Sequence, residues 1–333
     1  MANFRKNQML LKVFFTKMIC NYRSVCIFLI SCRAFLCPAK PLPINLSSIA
    51  SAIKDHTIID TKIEDQASII WVLTNSSLFS YHLTNDKTHQ FSFEHIHKNQ
   101  FNRLYLLPTF VIIESQTDLF LLNQKTKKFF QISNPDHHHV KKSYGIGYLN
   151  QNTLWWLHSG GITKLTPKTM EQIHTKFAFP NLSTNQQIIS NFLPDSLSVV
   201  TIGNNKNLFI QSVTSSQPKF LFQSPDPINE VQPLKRFLFI QTPTALLQLL
   251  PNGKMLKRIP AVPGTTIAKM KLDENFHYFL LNNGSLEIFD MNKKTRKWYP
   301  SLFHLKGQDA RWDISKNFVV VATGSKNLHC YRL

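Results

Sequence analysis

The feature that most constrains the fold of this chain is a pattern that recurs along most of its length. An apolar run such as Ile70–Thr74 is followed by a short polar turn and then by an alternating run such as Ser77–Tyr81. This order predicts a hairpin, in which a strand buried on both faces precedes a half-buried one. The first apolar residue after the turn marks the same position in seven repeats, spaced by 38 to 46 residues: Leu78, Leu119, Ile162, Leu208, Leu246, Leu286 and Leu328.

Each repeat has room for four strands, and the clearest example is the sixth. Its predicted strands are Ile267–Asp273, His277–Leu281, Leu286–Met291 and Lys297–Leu302. Four strands in about 42 residues is the size of one propeller blade. The sequence therefore predicts an all-β chain folded as a seven-bladed β-propeller. A β-sandwich is the alternative, but it gives no reason for equal repeats.

The two ends of the repeat region suggest how the ring closes. The seventh repeat lacks its fourth strand, whereas the segment Ile44–Ile49 precedes the first repeat without a blade of its own. We expect this N-terminal segment to form the outer strand of the seventh blade, because that pairing removes an exposed sheet edge.

Composition excludes several other classes. The 333 residues are 43% hydrophobic and 17% charged, which excludes wholesale disorder. The chain has no run of 18 uncharged apolar residues, which excludes a polytopic membrane protein. Ten glycines make a glycine-rich nucleotide-binding loop a poor expectation.

Residues 1–39 differ from the rest and predict an export leader. They contain six basic residues and no acidic one, followed by an apolar stretch from Val25 to Leu36 and a small-residue site ending at Ala39. Cleavage after Ala39 is one interpretation. The segment Leu29–Cys32 also resembles a bacterial lipobox, which would place an acyl chain on Cys32 and a peripheral membrane contact there. An uncleaved anchor is the third possibility. We expect residues 40–333 to form the propeller, in the periplasm or at the outer membrane.

Cysteine usage agrees with this division. Four of the five cysteines lie in the leader, and only Cys330 lies within the repeats. No internal disulfide is expected in residues 40–333, and the apolar neighbours of Cys330 predict a small buried side chain.

The repeats resemble those of the periplasmic sensor propellers attached to two-component regulators. In the first repeat, the resemblance rests on Ile70–Thr74, Ser77, Leu78, Tyr81, Asp86–Thr88 and Phe91. It implies a non-catalytic sensing module that recognises a small ligand, a glycan or a protein in the cell envelope. The repeats leave no output domain, so a signalling partner would be supplied in trans. An envelope scaffold or assembly lipoprotein is the alternative within the binding class.

The candidate binding residues lie where propellers bind ligands, on the face formed by the connections between blades. Histidines and one aspartate on these connections, together with Trp312 near the channel, make up the predicted ligand-binding set: His95, His97, Asp136, His137, His139, His304 and Trp312. Imidazole is a good metal ligand, but the side chains of adjacent histidines point apart. We therefore predict a polar ligand-contacting loop, and neither a metal nor a cofactor.

Two further functions are weighed and set aside. A metal-dependent lactonase would need carboxylates that converge on the channel, whereas the acidic residues of the first strands do not share one register: Asp60, Asp195, Glu230, Asp273 and Asp313. Without the leader, the formal charge of +19 falls to +13, and these lysines are scattered through hairpin turns. A nucleic-acid binder usually concentrates its charge on one element, so no nucleic-acid partner is expected. We expect the tryptophans Trp71, Trp155 and Trp156 to pack in the core.

Overall fold

The computed structural model describes residues 35–36, 41–93, 101–133, 143–150, 153–176, 198–212, 217–303, 311–323 and 327–333. Two short strands and a helix precede the repeats: β1 (Phe35–Leu36), β2 (Leu42–Pro43) and α1 (Ser47–Ala52). No helix among these residues has the length and apolar character needed to cross a bilayer.

Three sheets of four antiparallel strands come first along the chain. The first sheet consists of β3 (Ile58–Glu64), β4 (Ile69–Thr74), β5 (Ser77–His82) and β6 (Lys87–Ser92). The second consists of β7 (Phe101–Leu106), β8 (Phe110–Ser115), β9 (Asp118–Asn123) and β10 (Phe129–Ser133). The third consists of β11 (Ser143–Asn150), β12 (Thr153–His158), β13 (Gly161–Thr166) and β14 (Glu171–Thr175).

Four more sheets complete a seven-bladed β-propeller. The described strands of the fourth are β15 (Ser198–Gly203), β16 (Asn207–Ser212) and β17 (Lys219–Gln223). The fifth consists of β18 (Glu230–Leu234), β19 (Phe237–Gln241), β20 (Ala245–Leu249) and β21 (Met255–Pro260). The sixth consists of β22 (Ile267–Leu272), β23 (Phe276–Leu281), β24 (Leu286–Asp290) and β25 (Thr295–Tyr299), and β1 lies parallel to β25. The seventh contains β26 (Arg311–Ile314), β27 (Phe318–Thr323) and β28 (Asn327–Arg332).

The markers read from the sequence fall at one structural position. Six of the seven are the first or second residue of the third strand in their sheet, and Leu208 is the second residue of β16, the middle one of the three strands described for the fourth sheet. The preceding turn is held in several sheets by a hydroxyl group at the end of the second strand. Thr74 Oγ1, for example, donates to the carbonyl of Ser77 (2.8 Å) and accepts from its N–H (3.0 Å), and Ser115 and Thr242 repeat this arrangement. The predicted seven-bladed fold is confirmed.

The N-terminal segment differs from its predicted form. Leu42 and Pro43 pair with β28, and the Ile44 N–H donates to the Cys330 carbonyl (2.9 Å). The strand predicted over Ile44–Ile49 is not present, because the chain enters α1 at Ser47. The buried residues Leu46, Ile49 and Ile53 recur at helical spacing, and their side chains pack between the seventh and first sheets.

Hydrophobic side chains fill the junctions between sheets. Six clusters in the described residues each combine two neighbouring sheets, including the seventh with the first. Trp71, Trp155 and Trp156 are buried, as predicted, and so is Cys330. Burial raises the pKa of the Cys330 thiol to about 12, and a backbone hydrogen bond at Tyr331 opposes the change.

Candidate functional site

The connections between sheets and the turns after the second strands share one face of the ring, which we call the connection face. Three hydrogen bonds demonstrate this arrangement. His56 Nδ1 lies 2.7 Å from Ser76 Oγ, Thr244 Oγ1 donates to Asp226 Oδ2 (2.5 Å), and the Thr266 N–H donates to Asn282 Oδ1 (3.1 Å). Each bond joins a connection to the turn beside it, as the sequence predicted.

Most of the predicted ligand-binding residues lie outside the described part of the chain, namely His95, His97, Asp136, His137, His139 and His304. Trp312 lies within it, on the inner strand β26. Its side chain is 9% exposed and packs with Ile314 in the cluster shared with the sixth sheet. The other face of β26 carries Arg311 and Asp313, which bond to the first sheet. Trp312 thus occupies a packing position between blades.

The inner strands bring charged residues to one level of the channel. Asp60, Arg103 and Glu230 lie within the first three residues of β3, β7 and β18. Each is paired with the residue five positions before the marker of its repeat, that is, with Leu73, Glu114 and Gln241. Because the inner strands begin at the connection face, these three side chains lie near the channel entrance on that face.

Three cations from other sheets act electrostatically on Glu230. Burial raises the pKa of the Glu230 carboxyl above its usual value, while Lys269, Arg103 and Lys62 oppose the change. These three cations belong to the sixth, second and first sheets, whereas Glu230 belongs to the fifth. Their mutual influence therefore acts across the central channel. We call Lys62, Arg103, Glu230 and Lys269 the channel cluster.

Two nearby carboxylates are engaged in the ring itself. Asp60 Oδ2 accepts from the Leu104 N–H (2.8 Å), which joins the first sheet to the second. Asp313 Oδ2 accepts from the Ile63 N–H (2.7 Å), and its Oδ1 accepts from Lys271 Nζ (2.5 Å). Asp60 and Asp313 thus tie inner strands together.

Lys62 is held as a cation by the same carboxylates. Although burial by itself would lower the pKa of Lys62, Asp60 and Asp313 raise it above the usual value. Lys62 Nζ lies 3.7 Å from Asp60 Oδ1. The channel cluster contains three cations and one carboxylate, with Asp60 beside Lys62 and Glu114 beside Arg103, and its cations could contact an anionic group of a ligand.

The arrangement of carboxylates differs from that of a metal centre. Asp60 and Glu230 share one register, but Asp313 lies deeper along β26 and Asp273 lies beyond the end of β22. Asp273 instead accepts from the N–H groups of Asn275 and Phe276 at its turn. The described residues contain no group of three or more His, Cys, Asp or Glu side chains placed to hold a metal ion.

The sequence analysis named Glu230 but overlooked its cationic neighbours. Each of the inner strands β3, β7 and β22 carries one of these cations between buried residues: Lys62, Arg103 and Lys269, respectively. A charged residue at the third position of an inner strand, as at Asp60, Arg103 and Lys269, is the signal that points to two of them. The distances across the ring, however, follow only from its closure.

Comparisons with known proteins show the fold. No family model and no curated protein matches this sequence. Among solved structures, YCF48 bound to a D1 peptide has a TM-score of 0.62 at 11% identity, covering 90% of this chain and 96% of that one. A catalytically inactive virginiamycin B lyase from Staphylococcus aureus with quinupristin has a TM-score of 0.62 at 12% identity, covering 88% and 99%. BamB from Moraxella catarrhalis has a TM-score of 0.52 at 12% identity, covering 83% and 85%. The resemblance to sensor propellers of two-component regulators is not confirmed.

Proposed function

We propose that this protein is a non-catalytic binding module that docks an acidic segment of another protein on its connection face. The observation that carries this proposal is that Lys62, Arg103 and Lys269 act on the Glu230 carboxyl from three other sheets, although Asp60 and Glu114 lie beside two of these cations. An acidic side chain or a carboxyl terminus entering the channel would meet these three cations at once. Charge complementarity of this kind gives specificity and speeds association.

The rigidity of the ring supports a preformed site. Residues of the channel cluster come from four different sheets, and the inner strands between them are cross-linked by Asp60 and Asp313. A site built on strands is held more firmly than one built on loops. The likeness to YCF48 bound to a D1 peptide shows that a propeller of this general shape accommodates a peptide.

The cell envelope is the proposed location, and recognition of an envelope signal for a signalling partner is the proposed purpose. The basis is the leader pattern of residues 1–39 and the repeat resemblance. Mass spectrometry of the protein from a bacterial host tests the location, because export predicts an N-terminus at Lys40 or an acylated Cys32. Recovery of the intact N-terminus from the cytoplasmic fraction would contradict export.

A peptide array tests the docking proposal directly. The full chain is applied to random peptides, and we expect the bound ones to be enriched in Asp and Glu. The variant Arg103→Glu/Lys269→Glu should bind these peptides at least about tenfold more weakly, since two attractive charges become repulsive. Arg103 and Lys269 belong to the cluster, so the double variant must first show cooperative unfolding.

The matched control is Lys293→Glu/Lys294→Glu. These two exposed lysines lie in the turn between β24 and β25, on the opposite face of the ring. This variant makes the same change in net charge and should retain binding. Equal losses in both variants would show a nonspecific charge effect, and no enrichment of acidic peptides would overturn the proposal.

A further inference from the structure

Some outer strands of the ring carry large apolar side chains that are exposed to solvent. Among the described residues, the strongly exposed large hydrophobic side chains are Leu42, Ile173, Phe220, Met255 and Leu256. Three of these belong to the outer strands of two consecutive sheets: Phe220 lies on β17, and Met255 and Leu256 lie on β21. They are 54%, 50% and 47% exposed.

The two outer strands are in contact with each other. Gly253, in the turn that leads into β21, packs so closely on Leu221 of β17 that an added Cβ would collide with the Leu221 carbonyl. Leu221 and Phe222 also pack against the cluster shared by the fourth and fifth sheets. The turn before β21 therefore touches β17, so the exposed side chains lie on two outer strands that are neighbours on the perimeter, and Phe220 also packs on Phe209 (5.8 Å between ring centroids).

Basic residues flank these apolar side chains and acidic ones do not. Lys219 precedes Phe220, Lys254 precedes Met255, and Lys257 and Arg258 follow Leu256, all with exposed side chains. The segments 217–223 and 251–260 contain no Asp or Glu. We call the set Lys219, Phe220, Lys254, Met255, Leu256, Lys257 and Arg258 the basic rim.

We propose that the basic rim docks this protein on an anionic lipid bilayer. Exposed Phe, Met and Leu side chains surrounded by Lys and Arg have the composition of a surface that inserts at the headgroup level of anionic membranes. A second copy of the chain is a poor partner for the basic rim, because a symmetric contact would bring the four cations of one rim against the four cations of the other. The formal charge of +19 also favours an anionic surface over a neutral one.

The location of the basic rim suits such a contact. Outer strands face away from the channel axis, so a membrane at the perimeter would lie along the side of the ring. The connection face would then remain open to a protein partner. This surface is distinct from the channel cluster, and its test does not depend on the peptide-binding proposal.

Sedimentation with lipid vesicles tests the proposal. The full chain carries Cys32→Ser in every variant, so that acylation cannot supply the membrane contact. We expect binding to phosphatidylcholine vesicles that contain about one third phosphatidylglycerol, and much weaker binding to pure phosphatidylcholine. Phe220→Ser/Met255→Ser/Leu256→Ser should weaken binding by about tenfold or more. Lys219→Glu/Lys254→Glu should weaken it by at least about fivefold per residue, and added salt should reduce the binding of the parent chain.

Leu42→Ser is the matched control. Leu42 is 67% exposed and lies on β2, the outer strand of the seventh sheet, which is separated from the fifth sheet by the sixth. We expect this variant to bind as the parent does, and all variants to unfold at a similar denaturant concentration. Equal binding by the parent and the triple serine variant would overturn the proposal. Absence of binding to anionic vesicles would also overturn it, even if the basic rim binds soluble acidic proteins.

Discussion

Two junctions of the ring are filled by hydrophobic side chains but are fastened differently. The junction between the seventh and first sheets joins residues about 250 positions apart, and charged side chains cross it. Asp313 accepts from the Ile63 N–H (2.7 Å), and Arg311 Nε donates to the Ile59 carbonyl (2.8 Å). At the junction between the fifth and sixth sheets the buried side-chain hydrogen bonds come from a neutral group, while the exposed pair Lys235–Glu274 (3.3 Å) crosses it at the surface. There, Gln241 Nε2 donates to the carbonyls of Ile267 (3.0 Å) and Ala268 (3.2 Å).

The difference concerns how neighbouring sheets are held in register, and the Asp60–Leu104 bond shows that a carboxylate also does this between the first and second sheets. Hydrophobic packing is nondirectional, so it brings two sheets together without fixing their register. Hydrogen bonds to charged groups are roughly twice as strong as neutral ones and are directional. The closing junction has such bonds at the inner strands, where a slip would displace the channel cluster. The fifth–sixth junction joins sheets that are consecutive in the chain, and neutral hydrogen bonds are present there.

The largest predicted effect is the loss of stability when Asp313, at the junction between the seventh and first sheets, is replaced. The change Asp313→Ala leaves the Ile63 N–H without its acceptor and Lys271 without its carboxylate. Asp313 is 6% exposed and Lys271 is 38% exposed, so we expect a loss of about 3 kcal/mol in the free energy of unfolding. Urea denaturation measures it. The exposed pair Lys235–Glu274 provides the control, since Lys235→Ala should cost less than about 0.5 kcal/mol. Similar losses in both variants would contradict the special role of the closing junction.

The second prediction concerns the pH response of the fifth–sixth junction. His277 is buried among Phe239, Phe279 and Phe289. Burial lowers its pKa to about 4; Asp273 opposes this decrease and Lys257 adds to it. Between its unfolded pKa near 6.5 and about 4, the unfolded state binds the proton more tightly. Stability contributed by neutral His277 is therefore present above pH 6.5 and lost as the pH falls toward 4. We expect a loss on the order of 2 kcal/mol, measured by unfolding across this range.

Replacing His277 by Phe isolates this contribution. The variant His277→Phe has no proton to bind at this site, and the surrounding rings can accept an aromatic side chain. Its unfolding free energy should depend less on pH between 4 and 6.5 than that of the parent chain. An unchanged pH dependence would show that other groups dominate the acid response.

The smallest predicted effect tests the neutral bonds at the same junction. Gln241 is 1% exposed, and its amide reaches the carbonyls of two consecutive residues in the sixth sheet. The change Gln241→Met keeps a similar volume but removes both donors. We expect a loss of about 1 kcal/mol, clearly less than that of Asp313→Ala. Thermal and urea unfolding measure both variants under one set of conditions. A larger loss for Gln241→Met would reverse the proposed order of the junctions.

Much of the fold was predictable because it depends on local pattern. Markers such as Leu78 and Leu286 identified the third strands, and the apolar runs around Trp71 and Trp156 identified strands buried on both faces. The short helix α1 was missed because its segment was assigned by its place in the chain. The helical spacing of Leu46, Ile49 and Ile53 was the better guide.

The candidate site was less predictable than the fold. Among the predicted ligand-binding residues, Trp312 is the one that the structure describes, and its ring packs between blades. The channel cluster was missed because Lys62, Arg103 and Lys269 are far apart in the sequence and belong to no motif. Each of these residues by itself resembles an ordinary charge on a strand.

The sequence by itself determined the number of repeats, the type of secondary structure and the residues that would be buried. These properties follow from the periodicity of apolar residues, which depends only on residues that are close together in the sequence. The tertiary structure decided which charges meet in the channel, which carboxylates are engaged by backbone N–H groups, and which apolar residues remain exposed on the perimeter. These properties depend on the closure of the ring, because it places residues from opposite ends of the chain on adjacent inner strands.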